Sequence, residues 1–250
     1  MITMISLRYA FCIGGLLALS ACSKNGDQDA STRHISGTTL ASDEYGQIAS
    51  GLGGITVKLS NGIKEVSTQS ELGGKFLFTY VPFGEYRVEL SKAGYGTMKY
   101  FGIQHPKRVD SVNIPLELPP MGISQKSTTQ VTWFDVLPKP NRGIAYWMSS
   151  TPLLTLGGVP RHYRLFASRD SLVSDQNFEF TTLLTTFSGS NGTGQFDGLP
   201  ATPWLAGTRV WIRLYGDSSP YNQYQDPTNG KWVFPCLNLN TVPAKAIVLQ

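Results

Sequence analysis

Apolar and polar residues alternate in short segments between Ile35 and Leu118, with a period of two residues. This period is typical of strands that bury one face of a sheet. Glycine, proline and asparagine, which favour turns, separate the segments. No stretch places apolar residues at helical spacing, so we predict an antiparallel β-sandwich with one core between its sheets. The alternating segments are residues 55–59, 76–80, 86–90 and 112–116.

A second group of strands follows Pro119, Pro120 and a polar run, which together predict a linker over residues 119–128. Glycine-rich stretches separate its strands, and residues 189–194 are predicted to be one such connection. We therefore predict a second antiparallel β-sandwich over residues 129–250 and an all-β fold for the chain. The predicted strands are residues 129–136, 162–167, 178–186, 209–215, 232–234 and 246–249.

The first predicted domain resembles the carboxypeptidase regulatory-like family over nearly all of residues 33–118. The resemblance rests on Ile-Ser-Gly at 35–37, on the strand that follows Gly53 and Gly54, and on Val-Pro-Phe-Gly at 81–84. It implies a transthyretin-like sandwich without an active site. The chain departs from the family before Gly74, where the family usually has Asp and this sequence has Glu-Leu-Gly.

The second predicted domain resembles fibronectin type III domains over two strands. Residues 205–215 are similar to the strand that follows a Leu-x-Pro-Gly turn in that family, although Ala206 replaces the usual proline. Residues 162–168 resemble a central strand of the same fold. The resemblance implies an immunoglobulin-like second sandwich.

The N-terminus has the pattern of an export signal. Arg8 precedes an apolar run over residues 9–19, about half the roughly 20 residues that a membrane-spanning helix needs. The run ends in Leu-Ser-Ala-Cys at 19–22, which resembles the lipobox of bacterial lipoproteins. The resemblance implies that residues 1–21 are removed and that Cys22 carries acyl chains. The alternative is a plain secretory signal with an incidental cysteine.

Residues 22–32 have no aromatic and no large aliphatic side chain, which predicts a tether. Asp27 and Asp29 loosely resemble the acidic patch behind the lipidated cysteine of surface-exported Bacteroidetes lipoproteins. We therefore predict that the lipid on Cys22 holds the protein at the outer membrane. The protein would then face either the periplasm or the cell surface.

The charges along the chain are nearly balanced, with 21 basic and 17 acidic residues and a net charge of +4. The cations are dispersed, so no basic stripe indicates a nucleic-acid partner. Cys236 is the only cysteine after Cys22, which argues against a disulfide framework and a multi-cysteine metal site. His34, His105 and His162 lack the spacing of metal ligands. We predict no metal, no cofactor and no catalytic residues.

The aromatic residues are unevenly distributed, because all five tryptophans follow residue 129. Trp133 and Trp211 lie within alternating strands, where aromatic side chains usually fill the core. Tyr221 and Tyr224 instead lie in a polar loop that Trp232 follows, and sandwich loops often carry binding residues. These three residues are therefore the candidate ligand contacts. The alternative is that the tyrosines fold back onto the sandwich as packing residues.

These patterns favour a surface-anchored binding or adhesion protein that is not an enzyme, with a glycan or an envelope protein as its ligand. Exposed aromatic residues at one edge of the second domain would support this function. The alternative, a structural accessory subunit of an outer-membrane complex, would show a broad apolar face. An enzyme is the least favoured class, because it requires titratable groups that converge in a pocket.

Replacement of Cys22 by Ala is expected to release the full-length protein from the membrane fraction, because no acyl chain can then be attached to a thiol. Folding should be unchanged, since residue 22 precedes both predicted cores. The measurement is partitioning between detergent and aqueous phases, with Cys12→Ala in the signal segment as the control that retains the anchor. Unchanged partitioning of the Cys22 variant into detergent would contradict the lipoprotein prediction.

Overall fold

The computed structural model describes residues 32–107, 115–152, 160–186, 204–218 and 222–250, together with the backbone of residues 191–196. The signal segment, Cys22, nearly all of the tether and Tyr221 lie outside these described residues. The described part consists of strands without any α-helix, which confirms the all-β prediction. It therefore holds no helix long and apolar enough to cross a membrane.

Eight strands build the first sandwich, which has two facing sheets. They are β1 (Thr32–Ser42), β2 (Thr56–Ser60), β3 (Glu65–Gln69), β4 (Lys75–Pro82), β5 (Gly84–Ser91), β6 (Met98–His105), β7 (Leu116–Glu117) and β8 (Met121–Ser124). One sheet has the order β4-β1-β7, with β8 also paired to β1, and the other has the order β3-β2-β5-β6. β7 and β8 run parallel to β1, whereas the other pairings are antiparallel.

Alternation along these strands directs one residue in two towards the space between the sheets. In β1, every second residue from Arg33 to Ala41 is buried. Ile35, Leu59 and Val88 are completely buried in the shared core. Full burial of one such aliphatic side chain contributes about 1.5–3 kcal/mol, so the period of two in the sequence is also the main stabilising pattern of this sandwich.

The segment predicted as a linker, residues 119–128, differs from the prediction. It includes β8, in which Met121 and Ile123 are buried. Pro120 precedes this strand, so its missing N–H does not interrupt the pairing with β1. Ser127 is buried as well, so the chain enters the second sandwich through packed structure.

The second sandwich and an associated hairpin contain nine strands and one 3-10 turn. They are β9 (Gln130–Lys139), the 3-10 turn (Pro140–Arg142), β10 (Gly143–Thr151), β11 (Arg161–Ser168), β12 (Phe180–Thr186), β13 (Asn191–Phe196), β14 (Arg209–Asp217), β15 (Tyr224–Gln225), β16 (Trp232–Val233) and β17 (Lys245–Val248). One sheet has the order β13-β10-β9 and the facing sheet has the order β12-β11-β14-β17. β15 and β16 form a separate two-stranded hairpin.

The sequence pattern misses three of these strands, β10, β13 and the two-residue β15. In β10, the four consecutive residues from Gly143 to Tyr146 are buried, which hides the period of two. β13 contains Gly192 and Gly194, whose local preference favours a turn. Its six residues nevertheless pair with β10, so tertiary pairing overrides the local preference.

In the sheet β12-β11-β14-β17, the central strand β11 is buried on both faces, since all eight of its residues are buried. The inner face of the sheet contributes Leu165 and Ile212 to the core between the two sheets. Its outer face carries Phe166, which contacts Phe234 with ring centroids 5.3 Å apart. The segment after β16 therefore covers the outer face and adds a third layer to this sandwich.

A buried ion pair lies beneath this third layer. Nε of Arg164 on β11 donates to Oδ2 of Asp217 on β14 at 2.7 Å, and both side chains are almost inaccessible. The guanidinium also lies 4.5 Å from the centroid of the Phe234 ring. Loss of one partner would leave a buried charge uncompensated, which costs about 3–5 kcal/mol.

Cys236 joins this layer to the first sandwich. A Cβ built at Gly96 would lie 2.4 Å from Sγ of Cys236, so only glycine permits the observed approach. Sγ also lies 3.3 Å from the carbonyl oxygen of Ser124, and the backbone N–H of Ser127 donates to the carbonyl of Cys236 at 2.8 Å. Cys236 is a free, fully buried cysteine.

Glu44 forms a second connection between the sandwiches. Its buried carboxylate accepts a hydrogen bond from the backbone N–H of Thr128 at 2.8 Å and another from the Thr128 hydroxyl at 2.5 Å. Hydrogen bonds to an ionised group are worth about 1.5–3 kcal/mol each. The segment between the sandwiches is therefore fixed at its polar groups as well as at Cys236.

Cys236 is expected to be an inert thiol in the folded protein. Burial raises its pKa to about 12, so the reactive thiolate is scarce even at pH 9. A thiol reagent should therefore label the folded mature chain carrying Cys22→Ala slowly at pH 9 and label it rapidly in denaturant. Because the folded state holds this proton more tightly than the unfolded state, its contribution to stability is complete below pH 9 and declines as the pH rises towards 12. Rapid labelling of the folded protein would show that the contact with Gly96 opens.

Candidate functional site

The predicted loop between β14 and β16 contains the β15–β16 hairpin, whose turn is Asp226–Gly230. Pro227, Asn229 and Gly230 favour this turn, and Gly230 adopts a φ of +69°. The N–H of Gly230 donates to the carbonyl of Asp226 at 2.7 Å. Oδ1 of Asp226 accepts hydrogen bonds from the N–H of Thr228 at 2.9 Å and from its hydroxyl at 2.7 Å. The turn is therefore ordered by its own sequence.

Tyr224, one of the three candidate contacts, packs against the first sandwich. Its ring lies 6.0 Å from the ring of Phe101 on β6, and it joins the partly buried residues around the first core. Burial, followed by the nearby charge of Asp226, raises the pKa of its hydroxyl. Tyr224 is thus a packing residue of the hairpin, as the alternative interpretation of the loop tyrosines expects.

Trp232, the second candidate contact, lies on the opposite strand of the hairpin, paired with Gln225. Its side chain is 42% exposed and borders a cleft of about 240 Å³. Phe178 supplies a second aromatic wall, and Gln176 and Asn177 supply amide groups. The cleft therefore combines an apolar surface with hydrogen-bonding groups, as a small polar ligand requires.

The third candidate, Tyr221, lies outside the described residues. The residues that flank the gap are buried at the base of the hairpin: Ser218 is completely buried and Asn222 is 2% exposed. Asp217 contacts both of them, through the N–H of Ser218 at 2.8 Å and Nδ2 of Asn222 at 3.4 Å. The structure thus fixes the two ends of the segment that carries Tyr221.

A second cleft, of about 590 Å³, lies on the other side of the hairpin turn. Its floor is the outer face of the first sandwich, where β5 and β6 contribute Arg87 and Phe101. Pro227 and Thr228 of the turn form the opposing wall. The hairpin therefore separates two clefts, and each cleft has an aromatic side chain.

The sequence analysis also misses an exposed aromatic face on the second sandwich. Trp133 on β9 is 49% exposed, Leu137 is 54% exposed and Trp147 on β10 is 37% exposed. Trp133 pairs with Ser149 and Trp147 pairs with Asp135, which places the tryptophans diagonally on one face of the sheet. The alternation of inward and outward residues along β9 could have identified this face from the sequence. Because Phe134 and Val136 are inward, the residues between and beside them must be outward.

Two of the three histidines, His105 and His162, are buried and lie at hydrogen-bond distance from neighbouring groups. Burial lowers the pKa of His105, which lies 3.2 Å from the carbonyl oxygen of Val81. Burial also lowers the pKa of His162, whose Nδ1 lies 3.1 Å from the Thr185 hydroxyl. Among the described residues, no group of three or more His, Cys, Asp or Glu side chains could hold a metal ion.

No protein-family model and no curated protein sequence matches this chain. A Bacteroides uniformis ATCC 8492 protein, proposed to bind carbohydrate, is 14% identical, covers 87% of this chain and 99% of its own, and has a TM-score of 0.31. A DUF3823 family protein from Parabacteroides merdae ATCC 43184 is 9% identical over 88% of this chain and 100% of its own, with a TM-score of 0.32. The Bacillus cereus major pilin subunit is 11% identical over 84% of this chain and 69% of its own, with a TM-score of 0.29. Similarities this low do not identify a function.

Substitution of Tyr224 by Ala is expected to reduce the free energy of unfolding by about 1–3 kcal/mol, because the ring packs between Phe101 and the first core. Trp232→Ala is the matched control on the same hairpin, and its half-exposed side chain should cost less than Tyr224 does. Urea unfolding of both variants gives the comparison. Wild-type stability of the Tyr224 variant would contradict its packing role.

Proposed function

We propose that this protein is a non-enzymatic, lipid-anchored binding protein whose ligand is a carbohydrate. The observation that carries the proposal is the exposed Trp232 beside Phe178, Gln176 and Asn177. An indole ring offers a flat apolar surface to the C–H face of a sugar ring. The oxygens of both amides can accept from its hydroxyl groups, and the second N–H of Gln176 can donate to them. This arrangement fits a saccharide better than a purely apolar ligand.

The rigidity of the hairpin supports a binding role for Trp232. Hydrogen bonds within the turn and the packing of Tyr224 hold both strands in place before any ligand arrives. Asn177 on the facing wall is also fixed, because its Nδ2 donates to Oδ2 of Asp170 at 2.9 Å. Pre-ordered contact groups lose little conformational entropy on binding, which favours affinity for a small ligand.

The proposal also assigns a role to the lipid anchor and to each sandwich. The lipid on Cys22 would place the protein at the outer membrane, facing the periplasm or the cell surface. The first sandwich, which resembles carboxypeptidase regulatory-like domains in sequence, would act as the spacer. The second sandwich, with its fibronectin type III resemblance, and the hairpin would present the ligand contacts.

Catalysis is not part of the proposal, because two buried carboxylates of the described residues, Asp217 and Glu44, have structural partners. Arg164 and Asp217 neutralise each other beneath Phe234. The Glu44 carboxylate is bound by Thr128. Neither carboxylate borders the Trp232 cleft.

A second candidate function, docking as an accessory subunit of an outer-membrane complex, is favoured by the face that carries Trp133, Leu137 and Trp147. Each of these side chains is at least one-third exposed, and they share one face of the sheet β13-β10-β9. Exposed apolar clusters of this kind often mark protein interfaces. The two candidate functions use different surfaces, so substitutions can separate them.

Trp232→Ala is expected to weaken carbohydrate binding at least about tenfold, because truncation of a central aromatic contact typically costs about 2 kcal/mol or more. The measurement is retardation of the soluble mature chain in gels that contain defined polysaccharides, followed by calorimetry on those that bind. Thermal stability of the variant should remain close to the wild-type value.

The double variant Trp133→Ala/Trp147→Ala is the matched control, since it removes two exposed tryptophans far from the hairpin in sequence. It should retain carbohydrate binding. Absence of wild-type binding to every polysaccharide would overturn the proposed function. Loss of co-purification with an outer-membrane complex in the double variant alone would establish the accessory function instead.

A further inference from the structure

The larger cleft, between the first sandwich and the hairpin turn, has Arg87 in its floor. Arg87 lies on β5, opposite Ser60 of β2 and beside the irregular pairing at Phe101 and Gly102 of β6. Gly102 has a φ of +68°, which accommodates this irregularity. Arg87 therefore lies in a local depression of an otherwise regular sheet face.

The Arg87 guanidinium lacks the partners that a partly buried arginine normally has. Its Nε is buried and has no hydrogen-bond partner among the described residues. The ion pairs on the same sheet face join Lys58 and Lys99 to Glu65 and Glu89, and none of them includes Arg87. Nε of Arg161 and Nε of Arg213 are also unpartnered within the described part of the chain, so Arg87 is distinguished by lining the open cleft, from which an acceptor outside the chain would approach its guanidinium.

Glu85, a hydrogen-bond acceptor, lies on the same strand as the donor Arg87. Oε2 of Glu85 accepts a hydrogen bond from Nε2 of Gln104 at 3.0 Å, which leaves Oε1 available at the exposed side of the cleft. Phe101 provides an apolar surface between the two charged groups and the turn. Its position is fixed from behind by the ring of Tyr224. The cleft thus has a forked donor, a carboxylate acceptor and a pre-positioned aromatic ring.

The charged side chains around the cleft indicate whether its ligand is anionic or neutral. Glu89 and Asp226 are close enough to Arg87 and Lys99 to form one network of alternating charges around the cleft. Lys58 and Lys99 pair with carboxylates of this sheet face, and Asp226 lies near Arg87, so each of these three cations has a carboxylate nearby. An anionic ligand would be repelled by these carboxylates, whereas a neutral polyol would not.

We propose that this cleft is a subsite for a neutral sugar residue. Hydroxyl oxygens of the sugar accept hydrogen bonds from Arg87, a neighbouring hydroxyl donates to Glu85, and the ring face rests on Phe101. The inference rests on the proposed carbohydrate-binding function and specifies its ligand class as neutral. It also adds the first sandwich to the binding surface, since Trp232 contacts the ligand from the other side of the hairpin.

The test compares Arg87→Met and Glu85→Gln in the soluble mature chain. Methionine keeps the length and the apolar stem of arginine but removes the donor fork, and glutamine keeps the shape of glutamate but removes its charge. Arg209→Met and Glu117→Gln are the matched controls, because both residues are exposed and neither borders a cleft near the hairpin. Circular dichroism and thermal unfolding check that each variant folds.

Binding is measured on neutral polysaccharides, such as xylan, mannan and β-glucan, and on acidic ones, such as polygalacturonate and alginate. The wild type should bind at least one neutral polymer and bind acidic polymers at least about tenfold more weakly. Arg87→Met and Glu85→Gln should each weaken neutral binding about tenfold or more, while the two control variants bind as the wild type does.

Three outcomes would overturn the inference. Binding of acidic polymers alone would reverse the assigned ligand class. Neutral binding that Trp232→Ala abolishes but that both cleft variants retain would leave the proposed function intact and remove the Arg87 subsite. Absence of binding to every polymer would remove the proposed function together with the subsite.

Discussion

The apolar outer face of the sheet β12-β11-β14-β17 is the constraint on which the arrangement of this molecule depends. Phe166 and Tyr215 lie on that face, and water contact with both rings would be costly. The chain resolves this by returning across the face after β16, so that Phe234 and Leu237 complete a second hydrophobic cluster. The segment after β16 is positioned by that requirement.

The covering segment also determines where the hairpin lies. Cys236 follows Phe234 by two residues and packs so closely on Gly96 that a methyl group could not be inserted. Tyr224, at the other end of the hairpin, packs on Phe101. Two contacts with the first sandwich, one on each side of the turn, restrict the hairpin and leave clefts beside it. The clefts are thus a consequence of how the second sandwich buries its outer face.

Sequence reasoning predicts the parts of this architecture that depend on local pattern. The alternation at 55–59, 76–80 and 86–90 identifies β2, β4 and β5, and an aromatic after a polar loop identifies the exposed Trp232. It fails where pairing across the sheet decides the outcome. The glycines of β13 favour a turn, yet β10 holds them in a strand. No local signal shows that Tyr224 faces the first sandwich, because that contact joins residues more than 120 positions apart.

Two arginines show how the structure distinguishes polar groups that stabilise the fold from those that remain for a ligand. Arg164 is buried, pairs with Asp217 at 2.7 Å and lies against Phe234, so its charge and its planar face both have partners inside the chain. Arg87 is half-buried at the floor of an open cleft, and its Nε has no partner among the described residues. Within the described part of the chain, no hydrogen bond formed on folding offsets the desolvation of that Nε. In the proposed subsite an incoming hydroxyl group would accept from the Arg87 guanidinium, whereas Arg164 belongs to the scaffold that holds the covering segment in place.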